Sequence, residues 1–263
     1  KKTAIITGAA NGVGQIISQK FSEEGANLIL ADMDESNLKK EADLIRKSGS
    51  QVEIFCGDLR QNLTIKNLLA LSTKAFKNID ILVNASRQVT ISHPLDSDDM
   101  FFEELMSQNV GVNLKLSREV AKKMIAQSIS QPDSGNAIGS IVNLSSIASH
   151  RTLPDTLAYS VSSAALDQLT KSMAISLAES KIRVNAVAIG SVMSSSLRAK
   201  LAKNKFVLED LISATPLGRL GEASEAAEAV LFLASEKSSF ITGTILTVDG
   251  GRSLLDRMPA AAY

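Results

Sequence analysis

Short apolar runs rich in β-branched residues recur along the chain, at 3–7 (TAIIT), 27–31 (NLILA), 51–56 (QVEIFC), 79–84 (IDILVN), 139–145 (GSIVNLS), 182–189 (IRVNAVAI) and 244–248 (TILTV). Most are apolar on both parities, which predicts strands covered on both faces, as in the parallel sheet of an α/β protein. Between them apolar residues return at helical spacing, as in Ile17 with Phe21, Leu38 to Ile45, and Leu105 to Ile125. The alternation predicts right-handed crossovers and a doubly wound parallel sheet of about seven strands. No linker or composition break divides residues 1–263, so a single domain is expected. The tract 128–137 (SISQPDSGNA) reads as a loop. Residues 190–215 read as a helical excursion without a strand, lying beyond a strand's carboxyl end, where such sheets bind ligands.

Charge and composition remove several function classes. The 28 Lys and Arg equal the 28 Asp and Glu, so no net field would gather nucleic acid or an anionic membrane. No apolar run approaches the ~20 residues of a membrane-spanning helix. The one cysteine, Cys56, has no disulfide partner and sits in an apolar run, which predicts a buried thiol in a reduced, cytoplasmic setting. The two histidines, His93 and His150, share no metal-like spacing with it, so no metal site is expected. The chemistry then falls to an organic cofactor or to side chains alone.

The segment TAIITGAANGVGQIISQKF sets Gly8, Gly12 and Gly14 directly after the first predicted strand and at the start of the first helix. Backbone amides at a helix N-terminus, unobstructed by Cβ atoms, form a site for a pyrophosphate. The second strand ends at Asp32, where a carboxylate can accept from both hydroxyls of an adenosine ribose and would repel a 2′-phosphate. No Lys or Arg occurs from Gly8 to Gln19 or between Asp32 and Lys39, so NAD(H) is expected over NADP(H). Asp32 or Asp34 could instead cap the following helix. Asp58, at the end of the third strand, would lie over the adenine.

The Gly8, Gly12, Gly14 loop, the ILVNAS run, Asn109 ahead of IVNLSS, Ser146 thirteen residues before Tyr159, and VDGG at 248–251 together resemble the short-chain dehydrogenase/reductase family. The likeness covers essentially the whole chain and implies a Rossmann-type fold and an NAD(P)(H)-dependent oxidoreductase that interconverts a carbonyl and a secondary alcohol. It implies that Tyr159 passes a proton to or from the substrate oxygen, that Ser146 holds and polarises that oxygen, and that Asn109 anchors a water in a proton relay. Cofactor contacts are implied for Gly8, Asn11, Gly12, Val13, Gly14, Asp32, Asp58, Leu59, Asn84, Ala85, Tyr159, Gly190 and Val192. The small-residue helix 157–180 and the terminal FITGTILTVDGG resemble surfaces by which the family forms homotetramers. Closer likeness, to 3-oxoacyl carrier-protein reductases and hydroxysteroid dehydrogenases, is general and fixes only a small-molecule carbonyl or alcohol.

The pattern breaks at one position. The family expects a lysine four residues after the tyrosine, and this chain has Ser163. One helical turn puts 159 and 163 on the same face, roughly 6 Å apart, so the missing ammonium would sit beside the phenol and reach the nicotinamide ribose. Arg87, His150 and Arg151 are near the site in sequence and are candidates to replace its charge. Ala85 and Ile189 also stand where the family has Asn and Pro. The alternative is a catalytically weak or silent member that binds NAD(H) as a sensor or partner subunit. A methyltransferase on a similar sheet is disfavoured, because the first strand ends in Thr7 and Gly8 without an acidic residue. In the excursion, Val192, Met193 and Leu197 suggest an apolar wall for the substrate.

Overall fold

The seven apolar runs form one parallel sheet in a computed structural model that describes residues 1–95, 100–129, 135, 137–194, 197–198, 201 and 205–255. Its strands are β1 (Thr3–Thr7), β2 (Asn27–Asp32), β3 (Val52–Cys56), β4 (Ile81–Asn84), β5 (Gly139–Ser146), β6 (Ile182–Ile189) and β9 (Ile245–Val248). They lie in the order 3-2-1-4-5-6-9, all neighbours parallel. Chain order reverses between β1 and β4, which opens the crevice where doubly wound sheets take their ligands. The connecting helices are α1 (Gly12–Glu23), α2 (Glu35–Lys47), α3 (Asn62–Phe76), α4 (Phe101–Leu105), α5 (Val112–Ser128), α6 (Leu157–Ala178), α7 (Lys205–Ser213) and α8 (Ala223–Ala234).

The two parities of each strand feed two cores. Ile6 and Leu30 pack with Ile17, Phe21, Leu38 and Val230 on one face of the sheet. Ile5 and Ile29 pack with Leu68, Leu116 and Val120 on the other. Each such side chain contributes roughly 1.5–3 kcal/mol on burial. The single domain is therefore a three-layer sandwich with the sheet in the middle.

Four expectations change. Residues 190–215 do hold a strand: β7 (Val192–Met193) pairs with β8 (Gly221–Glu222), too short a ladder to leave a periodic signal. The helix expected from Leu105 to Ile125 is broken by a π-helical turn, Met106–Gly111, between α4 and α5. Cys56 is exposed, because β3 is the edge strand and its carboxyl end runs past helical cover; the thiol meets the Met33 carbonyl at 3.4 Å. The fourth strand starts at Ile81, since the N–H and C=O of Ile79 are both taken by the Gln127 side chain. Most of the 128–137 tract lies outside the described residues. Among the described residues no helix is long and apolar enough to cross a membrane.

Candidate active site

The glycine loop closes against the end of β4. Gly8 takes a φ of +66°, and a Cβ there would lie 2.8 Å from Ser86 N and 2.9 Å from the Ala85 carbonyl carbon and oxygen. A Cβ on Gly14 would lie 2.1 Å from the Gly8 carbonyl oxygen. Asn11 precedes α1 in extended backbone, its side chain caps none of the first-turn amides, and that turn carries no acid. Val13 is buried beneath the loop. Uncapped amides over a surface cleared of side chains fit a dinucleotide pyrophosphate.

Asp32 is fixed at the end of β2 above this loop. Its Oδ2 accepts from Ala10 N at 3.0 Å, and its Oδ1 from Met33 N at 2.7 Å and Asp34 N at 3.0 Å. The helix cap is Asp34, which accepts from Asn37 N, so the alternative role for Asp32 is already filled. Asp58 forms a bidentate pair with Arg60, whose guanidinium holds the Asp58 carboxyl below its ordinary range. Leu59 is buried in the core on the α3 and α5 side of the sheet. Asn84 likewise turns inward, donating to Ser117 Oγ and Asn143 Oδ1.

The chain leaving β4 is a strap tied down along its length. Thr7 Oγ1 accepts from both Ala85 N and Ser86 N at 3.1 Å. Asn109, placed inward by the π-turn, clamps Gln88: its Oδ1 accepts from Gln88 N at 2.8 Å, and its Nδ2 donates to Gln88 O at 3.0 Å. The Asn109 carbonyl accepts from Asn113 Nδ2 at 2.7 Å. Further on, Ser92 N donates to Asp155 O, and Ser92 bridges to Thr156 just before α6.

Tyr159 and Ser146 both line a cleft of about 960 Å³ above the ends of β5 and β6. Tyr159 sits in the first turn of α6, 8% exposed, packed against Leu105, Ala148 and Ala158. Ser146 ends β5, its Oγ accepting from Ala148 N. Ser163 does not face the cleft: its Oγ bonds back to the Tyr159 carbonyl at 2.7 Å. The strap's Arg87 instead donates from Nη1 to Tyr159 Oη at 2.8 Å and to Ser145 O at 3.3 Å. Of the other two named cations, Arg151 donates to Ser253 O and His150 meets Ser149 Oγ. Val192, Leu197 and Leu211 line the far wall, while Met193 does not. Gly190 lines the same cleft, and a Cβ there would lie 2.6 Å from Asp249 Cβ, so the glycine also admits the VDGG turn.

A protein-family model described as Enoyl-(Acyl carrier protein) reductase matches residues 8–253, nearly the whole chain. The chain belongs to the short-chain dehydrogenase/reductase family. It is thus an oxidoreductase of a family that binds NAD(P)(H). Oxidoreductase UcpA of Salmonella typhimurium is 35% identical over 96% of this chain and 95% of its own. Galactitol 2-dehydrogenase (L-tagatose-forming) of Cereibacter sphaeroides is 33% identical over 94% of this chain and 93% of its own. Among solved structures, a 7α-hydroxysteroid dehydrogenase complexed with NADH and 7-oxo glycochenodeoxycholic acid superposes with a TM-score of 0.87 at 29% identity, covering 95% and 93% of the two chains. These short-chain dehydrogenase relatives lend the silent-sensor alternative no support.

Of the sequence-derived residues, the glycine loop and Asp32 gather at one end of the crevice, and Ser146, Tyr159 and Val192 gather at the cleft. Thr7, Gln88 and Ser92 were not singled out by sequence reasoning, because hydroxyls and amides that hold backbone leave no spacing signal. Thr7 is the T of TGAANGVG, and its place at the strand end is the one clue available.

Proposed function

We propose that the protein interconverts a small-molecule ketone and a secondary alcohol, with Tyr159 as the proton carrier and Ser146 holding the substrate oxygen. A bound nicotinamide dinucleotide would supply or accept the hydride. In the reducing direction the Tyr159 O–H bond breaks and its proton goes to the substrate oxygen, where negative charge develops; Ser146 Oγ–H stabilises that oxygen as a donor. In the oxidising direction the same groups run in reverse. The observation that carries this reading is that Ser146 and Tyr159 line one cleft above the ends of β5 and β6.

Cofactor contacts are assigned to the main chain of Gly8, Asn11, Gly12, Val13 and Gly14, to Asp32 and Asp58, and to backbone at Leu59, Asn84 and Ala85. Tyr159 and Val192 border the nicotinamide end. NAD(H) is preferred, because the fixed Asp32 carboxylate would repel a 2′-phosphate, and Arg60, the first cation after β3, is paired with Asp58. Asn109 acts by clamping the strap and, in keeping with its family, would anchor a relay water. The wall from β7 to α7 sets substrate preference; Val192, Leu197 and Leu211 make it apolar. Two of the proteins named above, a galactitol 2-dehydrogenase that forms L-tagatose and a 7α-hydroxysteroid dehydrogenase bound to a 7-oxo bile acid, each pair a secondary alcohol with a ketone, which suits this class. A cytoplasmic homotetramer is the assembly expected, with the exposed Phe240, Val161 and Ile175 among the apolar residues to be covered.

The test is thermal melting with equal concentrations of NADH and NADPH, followed by NADH-linked reduction of L-tagatose and a 7-oxo bile acid. NADH is expected to raise the melting temperature more than NADPH, by mass action on the folded state. Equal or reversed shifts overturn the Asp32 assignment.

A further inference from the structure

We propose that Arg87 is the positioning cation of this site, placing from the β4 strap the positive charge that the family places from α6. The inference rests on Tyr159 being the proton carrier and concerns what holds and charges its oxygen. Arginine has donors only, so in the 2.8 Å contact Tyr159 Oη is the acceptor. Its own hydrogen is thereby turned away from the strap and is free for an acceptor in the cleft. When that hydrogen leaves, the oxygen left behind already holds a charge-assisted hydrogen bond, the stronger kind.

The guanidinium is held for this task. Nη1 is shared with Ser145 O at 3.3 Å, at the end of the strand that carries Ser146. Its own backbone is fixed on both sides, by Thr7 on Ser86 and by Asn109 on Gln88. Asn109 therefore acts on Tyr159 through Arg87. No described carboxylate forms an ion pair with Arg87, so its charge is not cancelled locally. The charged groups around Tyr159 are otherwise engaged: Asp167 of α6 accepts from Ser145 Oγ, Glu104 of α4 accepts from Gln88 Nε2, and His150 and Arg151 follow β5. Ser163, bonded to its own helix backbone, contributes no charge.

The sequence offers a direct optical test. There are two tyrosines and no tryptophan, so in a Tyr263→Phe background Tyr159 is the one source of the near-ultraviolet tyrosine band. The band of that protein at neutral pH is compared with that of the same protein carrying Arg87→Met or Arg87→Lys. Arg87→Met is expected to shift the band, because the phenol oxygen loses the donor that meets it at 2.8 Å, and Arg87→Lys should shift it less. In NADH-linked reduction of whichever of L-tagatose, a 7-oxo bile acid and a 3-oxoacyl thioester wild type turns over, Arg87→Met should lower kcat about tenfold or more with KM changed little, and both Arg87→Lys and the added Ser163→Lys should restore part of the loss. An unmoved band in Arg87→Met, or a kcat that Arg87→Met leaves unchanged, overturns the proposal. If the band moves but Tyr159→Phe retains full turnover, the proton-carrier reading fails while the Arg87 contact stands.

Discussion

Replacing Gly14 by alanine tests the cofactor loop with a single methyl group. The new carbon would sit 2.1 Å from the Gly8 carbonyl oxygen, 2.8 Å from its carbon and 3.3 Å from the Thr7 carbonyl oxygen. Ordinary contact lies near 3.5 Å, so the first of these must open by more than about 1 Å. All three atoms are backbone, and no side chain can swing aside. Overpacking of this kind costs roughly 1–3 kcal/mol, and the absence of any yielding neighbour puts Gly14→Ala near the top, about 3 kcal/mol. At roughly 2–4 °C per kcal/mol for a chain of this size, the melting temperature should fall by about 6–12 °C. Gly12→Ala is the control: nothing lies within 4 Å of its Cβ, and its cost is only that of a φ of +60°, roughly 1–2 kcal/mol. Melting scans with and without NADH read both effects. Gly14→Ala should lose the NADH-induced shift along with its stability, because the loop that carries the amides has moved; Gly12→Ala should keep most of it. A Gly14→Ala protein that melts within a degree or two of wild type and still responds to NADH refutes the loop geometry.

Two other substitutions probe the frame around the site. Thr7→Val should cost about 2–4 kcal/mol in denaturant unfolding, since two amides, Ala85 N and Ser86 N, lose their acceptor together; a loss under about 0.5 kcal/mol contradicts the strap's attachment. Glu225, paired with Arg219 and accepting from Glu222 N, has its carboxyl pushed down to about 2 from an ordinary 4.5. A depressed carboxyl stabilises the fold above the unfolded value and loses that contribution as pH falls through the folded one. The pair is exposed, so the gain is about 1 kcal/mol or less. The melting gap between wild type and Glu225→Gln should be flat above about pH 4.5 and close as pH falls towards about 2; a gap that widens in acid refutes it.

Strand runs apolar on both parities carried the sheet, because a strand buried on two faces has to read that way, and all seven runs became strands of one sheet. Their ends were less legible: Gln127 takes over the backbone of Ile79 from 48 residues away, a contact that no local pattern announces. Cys56 misled for the related reason that an apolar run at a sheet edge is covered on only part of its length. At the site, the glycine loop and the Ser146 and Tyr159 spacing were readable because local backbone geometry and one helix start fix them. Arg87 was one of three named cations, and only the path of the strap across the sheet end brings it to Tyr159. At Gly190, which lines the cleft, a further demand went unannounced: a Cβ there would meet Asp249, a packing contact between segments about sixty residues apart.

The central claim is that one phenol oxygen carries the proton in a nicotinamide-linked reduction. Tyr159→Phe removes that atom and leaves the ring in place among Leu105, Ala148 and Ala158. The measurement is NADH-linked turnover of L-tagatose, a 7-oxo bile acid and a 3-oxoacyl thioester by wild type and Tyr159→Phe, beside the NADH-induced melting shift of each. Wild type should turn over at least one of them, and Tyr159→Phe should lose roughly 10²–10⁴-fold of that rate while its NADH shift is kept. Turnover by Tyr159→Phe within a few-fold of wild type would contradict the account.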